Sequence, residues 1–222
     1  MITFSSTHLI YLIEAARWTL LLSVIAFIGG GIVGLILALG RVSQHKALRW
    51  LSAAYIQIIQ GTPLLVVLFL AYFGLSILGL DIPPIVAAGL SLTLYTSAFL
   101  GEIWRGCILS VPKTQWEAAN CIGLSRAQQY RYVILPQATR IAIPPTVGFM
   151  VQIVKTTSVA SLIGLTELAR TATMINTVTF EPMLVFGTVA LIYFALCWPL
   201  SLLARHLEKR LEVEGRGRAA LA

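Results

Sequence analysis

Five stretches of this chain are too long and too apolar to fold in water. The first, residues 18–40, contains no charged side chain. At about 1.5 Å of rise per residue, a helix of this length crosses the apolar core of a bilayer. The other stretches are residues 51–79, 85–104, 141–164 and 184–204. Charged residues make up 11% of the chain, whereas a soluble domain contains about 25%. The sequence therefore predicts an all-α integral membrane protein with five transmembrane helices in a single domain, residues 1–222.

Basic residues are concentrated in three segments beside these stretches. Thirteen of the sixteen lysines and arginines lie in 41–50, in 105–140 or after residue 204. Arg17 and Arg170 lie on the other side, and Lys155 lies within the fourth stretch. Since basic loops stay in the cytoplasm, this distribution predicts an N-terminus outside the membrane and a cytoplasmic C-terminus. The net charge of +7 thus indicates membrane orientation rather than nucleic-acid binding.

The cytoplasmic segment 113–136 is polar and contains helix start and stop signals. Thr114 and Glu117 have the spacing of a capping box, which predicts the start of a short helix. Gly123 follows about two turns later, where a left-handed residue would end that helix. Glu117 is either a cap of its own helix or a contact for a partner, and the two roles are compatible.

A second helix is predicted directly after this glycine corner. Ser125 and Gln128 repeat the capping-box spacing. Pro136 prevents an undisturbed continuation of the helix towards the membrane. Ala118 and Ala119 give the first helix a slim edge, which suits close approach by the surface of another protein.

Two charged residues within the predicted spans are candidates for a polar path through the membrane. A lysine inside a span costs roughly 2.5–3.5 kcal/mol on insertion scales, so Lys155 is expected to face a polar interior. It either has a functional role in that interior, or it reaches the interface or pairs with Glu102. Glu102 in turn either has a functional role or forms an i,i+3 pair with Arg105.

Amide and hydroxyl side chains extend this candidate path. Gln57 and Gln60 share one face of the second helix, just before the helix-breaking segment 61–63. They form either a polar pocket at membrane depth or hydrogen bonds between helices. Gln152 lies on the same face as Lys155. The complete candidate path is Gln57, Gln60, Glu102, Gln152, Lys155, Thr156 and Ser158.

Signals for catalysis and for metal binding are missing from the sequence. No GxxxxGK[ST] phosphate loop occurs, so the chain is not expected to bind ATP or to act as an enzyme. The cysteines, Cys107, Cys121 and Cys197, do not have the spacing of metal ligands. We therefore expect no catalytic residue, no metal site and no cofactor on this chain.

Several motifs together resemble the permeases of type I ABC importers. Glu117-Ala118-Ala119, followed by Gly123, Val133 and Leu135-Pro136, is similar to the EAA loop of that family. The segments "QGTPLLVVLF" (60–69), "GEIWRGCI" (101–108) and "VKTTSVASLIG" (154–164) are similar to its polar amino-acid subfamily, which includes histidine, glutamine, arginine and cystine permeases. The chain departs from the common pattern with Val133 for isoleucine, Gln60 for arginine and Thr156 for aspartate.

The resemblance implies a role in ATP-driven import of a polar amino acid across the bacterial inner membrane. In such a system the EAA helix couples to a separate ATPase, which binds ATP and Mg. The coupling residues on this chain would be Glu117, Ala118, Ala119, Gly123 and Leu124. The implied partners are the ATPase subunits, a second permease subunit, identical or homologous, and a periplasmic amino-acid-binding protein. In such a path Lys155 would contact the substrate carboxylate or control the gate, and Glu102 would meet the α-amino group. Which amino acid is carried stays open.

Two other kinds of membrane protein compete with this interpretation. A secondary carrier driven by an ion gradient usually has paired inverted repeats, which five spans without a repeat do not provide. A membrane anchor for a respiratory or assembly complex would explain the apolar spans. It would leave the capped cytoplasmic loop unexplained.

Overall fold

The computed structural model describes the backbone of residues 3–219 and the side chains of residues 3–211. Within that range the chain forms eight helices and no strand. They are α1 (Ser6–Val42), α2 (Lys46–Gly61), α3 (Leu64–Ile77), α4 (Pro84–Leu109), α5 (Lys113–Cys121), α6 (Arg126–Ile163), α7 (Leu168–Thr179) and α8 (Pro182–Ala219).

The central contact of the fold joins α1 to α4. These two helices contact each other more extensively than any other described pair. Leu22 and Ala26 of α1 are fully buried together with Leu100 of α4. Phe149 and Ile153 of α6 join the same cluster. The apolar core therefore holds α1, α4 and α6 together. It also positions the C-terminal ends of these three helices, after which the shorter helices α2, α5 and α7 begin.

The second predicted span, 51–79, is not one continuous helix. Its helix breaks after Gly61, and α2 and α3 are bent by 99° relative to each other. Pro63 has no N–H for a helical hydrogen bond, and Thr62 before it adopts an extended backbone with φ −107° and ψ 129°. The predicted span therefore consists of two helices with a sharp bend between them, and the expected loosening at 61–63 is confirmed.

The fourth predicted span, 141–164, is the continuation of the second loop helix. One helix, α6, runs from the polar segment 113–136 into the predicted span. A π-helical turn over Gln129–Ile134 precedes Pro136, and the N–H of Leu135 donates to the carbonyl of Tyr130. The wider turn accommodates the proline, which disturbs the helix without ending it.

Four helices, α1, α4, α6 and α8, are long and apolar enough to cross a membrane, and the bent α2–α3 pair would make a fifth crossing. These helices confirm an all-α multi-pass membrane protein. The predicted spans 18–40, 85–104 and 184–204 lie inside α1, α4 and α8, each of which extends further at both ends.

The amphipathic helix α7 was not predicted. It lies between the fourth and fifth predicted spans and contacts both α1 and α8. Leu168 and Ala172 of α7 are fully buried beside Leu12 and Val185. In this second cluster the N-terminal part of α1 packs against α7 and the start of α8.

Candidate functional site

The polar loop forms a short exposed helix, α5, between two long ones. Glu117 and Ala118 are exposed, whereas Ala119 is only 2% exposed. The Trp116 ring packs edge-on against Tyr130 of α6, with ring centroids 5.2 Å apart. The helix is thus held on one side and presents Glu117 and Ala118 on the other.

Gly123 ends α5 in the predicted left-handed conformation, with φ +74°. The N–H of Leu124 donates to the carbonyl of Ala119 at 3.1 Å, and the N–H of Gly123 donates to the carbonyl of Asn120 at 2.9 Å. This pair of bonds is a Schellman motif, which satisfies carbonyls that would otherwise lack partners at the helix end. The predicted glycine corner is confirmed.

Only one of the two predicted capping boxes forms. The amide oxygen of Gln128 accepts from the N–H of Ser125 at 2.8 Å, and the Ser125 hydroxyl accepts from the N–H of Gln128 at 3.4 Å. The box of Thr114 and Glu117 was wrong, because α5 begins at Lys113 with Pro112 as its N-cap and no side chain caps it. Thr114 lies inside the first turn, so Glu117 does not cap this helix.

Gln129 is a buried residue whose side chain hydrogen-bonds to the glycine corner. It was not among the predicted site residues. Its side chain is 1% exposed. The amide nitrogen donates to the carbonyl of Leu124 at 2.8 Å and to the side-chain oxygen of Asn120 at 2.6 Å. These bonds join the start of α6 to the end of α5. No sequence signal distinguishes Gln129 from the exposed Gln128 beside it.

Glu102 is held by arginines of its own chain. Its carboxylate accepts from the Nε of Arg105 at 2.8 Å, and the Nε of Arg41 lies 3.7 Å from its other oxygen. The predicted i,i+3 pair with Arg105 is confirmed. The alternative in which Lys155 pairs with Glu102 is wrong, because no salt bridge joins them among the described side chains.

Lys155, with Gln152, lies exposed at the end of the α-helical part of α6. Neighbouring hydroxyls bond to this last turn: Thr156 donates to the carbonyl of Gln152 at 2.7 Å, and Ser158 to that of Lys155 at 2.8 Å. The helix then tightens into a 3₁₀ turn. Gln152 and Lys155, three residues apart in one helix, are both exposed, as their spacing on one face predicts.

Gln57 and Gln60 lie exposed in the last turn of α2, at the break before α3. The amide nitrogen of Gln60 donates to the carbonyl of Ala98 on α4 at 3.4 Å, as the interhelical alternative expects. No hydrogen bond among the described residues joins either glutamine to Glu102 or Lys155. Hydrogen bonds within the described part of this single chain therefore do not connect the two glutamines with the charged residues of the candidate path.

Glu167 is a buried carboxylate that the sequence analysis missed. It caps α7, with its carboxylate accepting from the N–H of Arg170 at 2.9 Å. Its other oxygen accepts from the hydroxyls of Thr19 and Tyr193, each at 3.3 Å. Burial raises the pKa of Glu167 above the ordinary range for a carboxyl group. This residue connects α1, α7 and α8.

Comparison with known proteins identifies the family. The sequence model of the family described as "Binding-protein-dependent transport system inner membrane component" matches residues 30–213. The chain belongs to this family. As a permease subunit it is a membrane component of ABC transporters and not itself an ATP-binding enzyme. The resemblance found in the sequence is thereby confirmed.

Individual relatives of this permease are described as amino-acid transporters. YckA of Bacillus subtilis (strain 168), a "probable amino-acid ABC transporter permease protein", is 38% identical over 200 residues, covering 90% of this chain and 88% of that protein. The glutamine transport system permease GlnP of Escherichia coli (strain K12) is 34% identical over 204 residues, covering 91% of this chain and 93% of GlnP.

Solved structures share the fold of this permease. A chain of an amino acid ABC transporter crystallised with histidines has a TM-score of 0.87 and 33% identity, covering 94% of this chain and 100% of that one. A chain of the inward-facing methionine ABC transporter MetNI has a TM-score of 0.77 at 20% identity, covering 93% of this chain and 99% of that one. The second likeness shows the fold alone.

Proposed function

We propose that this permease is the transmembrane subunit of an ATP-driven importer for a polar amino acid in the bacterial inner membrane. Residues 1–222 act as one transmembrane domain. The sequence relatives support the substrate class, since those quoted above are described as amino-acid or glutamine permeases. The apolar helices of the fold support the multi-pass location.

The N-terminus of the permease lies in the periplasm and its C-terminus in the cytoplasm. The thirteen-to-two distribution of basic residues supports this orientation. With five crossings, the loop that contains α5 and the ends of α1 and α8 share the cytoplasmic side. The α3–α4 hairpin and α7 then face the periplasm, where a binding protein delivers the solute.

The observation that supports the proposal most directly is the exposure of one face of α5. Its exposed face offers Glu117 and Ala118, and the Schellman motif of Gly123 and Leu124 fixes the direction in which the helix ends. Buried Ala119 keeps the helix close to its own chain. The predicted coupling loop, residues 113–136, transmits movement between an ATPase and the long helix α6, because the loop continues directly into that helix.

Energy and substrate delivery come from partner subunits. The ATPase subunits bind ATP and Mg, and this chain supplies no cofactor of its own. A second permease subunit, identical or homologous, completes the pathway. The need for a second subunit is supported by the exposure on the single chain of Gln57, Gln60, Gln152 and Lys155. Polar side chains at membrane depth require polar partners.

Glu102, Thr156 and Ser158 complete the proposed substrate path. Glu102 lies near the ends of α1 and α4, where its carboxylate pairs with Arg41 and Arg105. The two hydroxyls follow Lys155 at the tightened end of α6. A zwitterionic substrate would thus meet both an ammonium group and a carboxylate along the path.

Co-purification and ATP hydrolysis test the proposal together. We expect the affinity-tagged permease, extracted in mild detergent, to retain an ATPase subunit. A Glu117→Arg/Ala118→Glu variant should lose that subunit while remaining folded. The matched control is Glu208→Arg on exposed α8, which should retain it. A permease that transports an amino acid in vesicles without any ATPase, driven by an ion gradient, would overturn the proposal.

A further inference from the structure

A basic cavity lies where the end of α1 meets α2 and the start of α6. Its volume is about 550 Å³. Arg49, Arg126 and His45 line it, and Leu39 and Val42 form an apolar wall. None of the described lining residues is acidic, and neither arginine forms a salt bridge with a described side chain. The cavity is therefore suited to an anion with an apolar portion.

The walls of this cavity are fixed. The Tyr130 hydroxyl donates to the carbonyl of Val42 at 3.3 Å and so joins α6 to α1. The guanidinium of Arg126 lies over the Trp116 ring, 5.9 Å from its centroid. Helix α2 starts at this cavity without a side-chain cap and without an acidic residue in its first turn. Its N-terminal partial charge adds to the positive field of the arginines.

Exposed apolar residues follow the basic residues of this cavity along α2. Trp50, which follows Arg49, is 69% exposed, and Leu48 and Leu51 beside it are exposed too. An exposed tryptophan between basic and apolar residues is typical of the membrane–water interface. This pattern predicts that the arginines lie at the depth of lipid headgroups.

An apolar groove of about 460 Å³ runs between α1, α4 and α6 next to this cavity. Its lining residues include Leu35, Trp104, Ala142 and Val147. The polar atoms in its wall bond within the chain, since the Trp104 indole N–H donates to the Thr146 hydroxyl at 2.8 Å. The groove therefore offers no polar partner to a ligand and suits a hydrocarbon chain.

The groove and the cavity adjoin along α1. Leu35 of the groove and Leu39 of the cavity lie one helical turn apart, about 6 Å along the axis, and both are exposed. Ile108 of the groove packs in the same apolar cluster as Val42 and Tyr130 of the cavity. One amphiphilic molecule lying along α1 would reach both.

We propose that the groove and the cavity form one binding site for an anionic glycerophospholipid. The headgroup phosphate lies between Arg49 and Arg126, and an acyl chain lies in the groove against Leu35 and Trp104. Charge complementarity and the adjoining apolar groove select this occupant. A free phosphate would leave the groove unused, and an acidic protein segment would leave hydrocarbon surface uncovered at membrane depth.

Native mass spectrometry of the full chain in detergent tests the site. The chain is titrated with phosphatidylglycerol and with phosphatidylcholine carrying the same acyl chains. We expect one phosphatidylglycerol to bind tightly per chain, and phosphatidylcholine to bind more weakly. An Arg49→Gln/Arg126→Gln variant should bind phosphatidylglycerol roughly 30-fold more weakly, since each basic residue near an anionic surface contributes about 1 kcal/mol, roughly a factor of five.

Matched variants separate the two parts of the site. Arg205→Gln/Lys209→Gln removes two exposed charges from α8 and should leave binding unchanged. Arg49→Lys/Arg126→Lys keeps the charge and should retain most of the affinity. Ala142→Phe fills the groove and should weaken binding although the arginines remain. Ala195→Phe, at an exposed position of α8, is its control and should have no effect.

Four results would overturn the proposal. The first is equal binding of phosphatidylcholine and phosphatidylglycerol. The second is equal affinity of the Arg49→Gln/Arg126→Gln variant and its α8 control. Displacement of the lipid by millimolar inorganic phosphate would indicate a site for a free anion. Loss of an ATPase subunit from the glutamine variant, with phosphatidylglycerol binding unchanged, would assign the arginines to a protein contact.

Discussion

Gly34 of α1 and Gly101 of α4 meet backbone to backbone. A Cβ added to Gly34 would lie 3.2 Å from the nitrogen of Gly101, and one added to Gly101 would lie 3.3 Å from the oxygen of Gly34. Small residues allow such close packing of helices in a membrane, where burial against lipid provides little driving force. The contact between α1 and α4 thus depends on these two glycines.

Replacing Gly34 with valine should destabilise the chain. The added side chain would also meet the carbonyl of Ser97, 3.1 Å from the new Cβ, so the helices must separate. Overpacking of this kind costs about 1–3 kcal/mol. We expect a lower midpoint of thermal unfolding in detergent. Gly187→Val on α8, where a Cβ meets nothing within 4 Å, is the control. Equal midpoints for the two variants would contradict the role of this contact.

Glu167 should stabilise the junction of α1, α7 and α8 through its hydrogen bonds. Glu167→Ala removes a helix cap, which contributes about 0.5–2 kcal/mol, and leaves the hydroxyls of Thr19 and Tyr193 without this acceptor. We expect a clearly lower unfolding midpoint than for Glu14→Ala, an exposed carboxylate on α1. The prediction is wrong if both alanine variants unfold at the same temperature.

The stability contributed by Glu167 should depend on pH. Because burial raises its pKa in the folded chain, the folded state binds this proton more tightly than the unfolded state. Stability should therefore fall as pH rises from the ordinary carboxyl pKa through the raised one. Glu167→Gln, which cannot ionise, should lack this decline. Parallel pH profiles for the two proteins, measured by thermal unfolding, would exclude this linkage.

The features predictable from the sequence are those whose partners lie close together in the chain. Ser125 and Gln128 bond across three residues, and Gly123 ends its helix through bonds to the preceding turn. Thr114 has the same local pattern, yet the helix starts two residues earlier, with Pro112 as its N-cap, and Thr114 therefore lies inside it. Local spacing predicts a cap only when the first helical residue is also determined.

Features formed by distant partners could not be predicted. Thr19 and Glu167 are 148 residues apart in sequence, so nothing near Glu167 indicates its burial. Pro63 predicts a weakened helix, but the 99° bend between α2 and α3 depends on how each packs against α4. The apolar spans were predictable because a bilayer imposes length and composition on each helix separately.

The orientation of the permease can be read from a native cysteine. Cys121 at the end of α5 is exposed, whereas Cys107 is buried. In a Cys107→Ser/Cys197→Ser background, an impermeant thiol reagent added to intact cells should leave Cys121 unlabelled and should label it after the cells are opened. Cys121→Ser/Asp81→Cys in the same background is the control and should label from outside, because Asp81 is exposed in the α3–α4 hairpin. Labelling of Cys121 in intact cells would reverse the topology.

Lys155 should contribute to transport rather than to assembly. Its side chain is exposed on the single chain and forms no salt bridge among the described residues, so its removal disturbs no partner there. Lys155→Met should reduce amino-acid uptake by about tenfold or more, the loss expected for one hydrogen bond to a charged group. Lys155→Arg should retain part of the uptake, and both variants should co-purify with the ATPase. Normal uptake by Lys155→Met would indicate that the lysine only reaches the membrane surface.

Gly123 should determine whether ATP hydrolysis is coupled to transport. A Cβ at this position meets no atom within 4 Å, so the cost of a side chain comes only from the left-handed backbone, roughly 1–2 kcal/mol. That cost is small for a multi-pass protein with three apolar core clusters among its described residues, but it is enough to lengthen or tilt α5. We expect Gly123→Val to assemble with the ATPase and to lose both uptake and the stimulation of ATP hydrolysis by loaded binding protein.

Gly79 provides the matched control for this variant. It has φ +81°, ends α3 with the same pair of hydrogen bonds, and also has no atom within 4 Å of an added Cβ. Gly79→Val therefore introduces the same backbone strain in the loop on the opposite side of the membrane. Reconstituted complexes of both variants are compared for ATP hydrolysis with and without loaded binding protein. Full stimulation in Gly123→Val, or equal loss in Gly79→Val, would show that the corner at the end of α5 is not the coupling element.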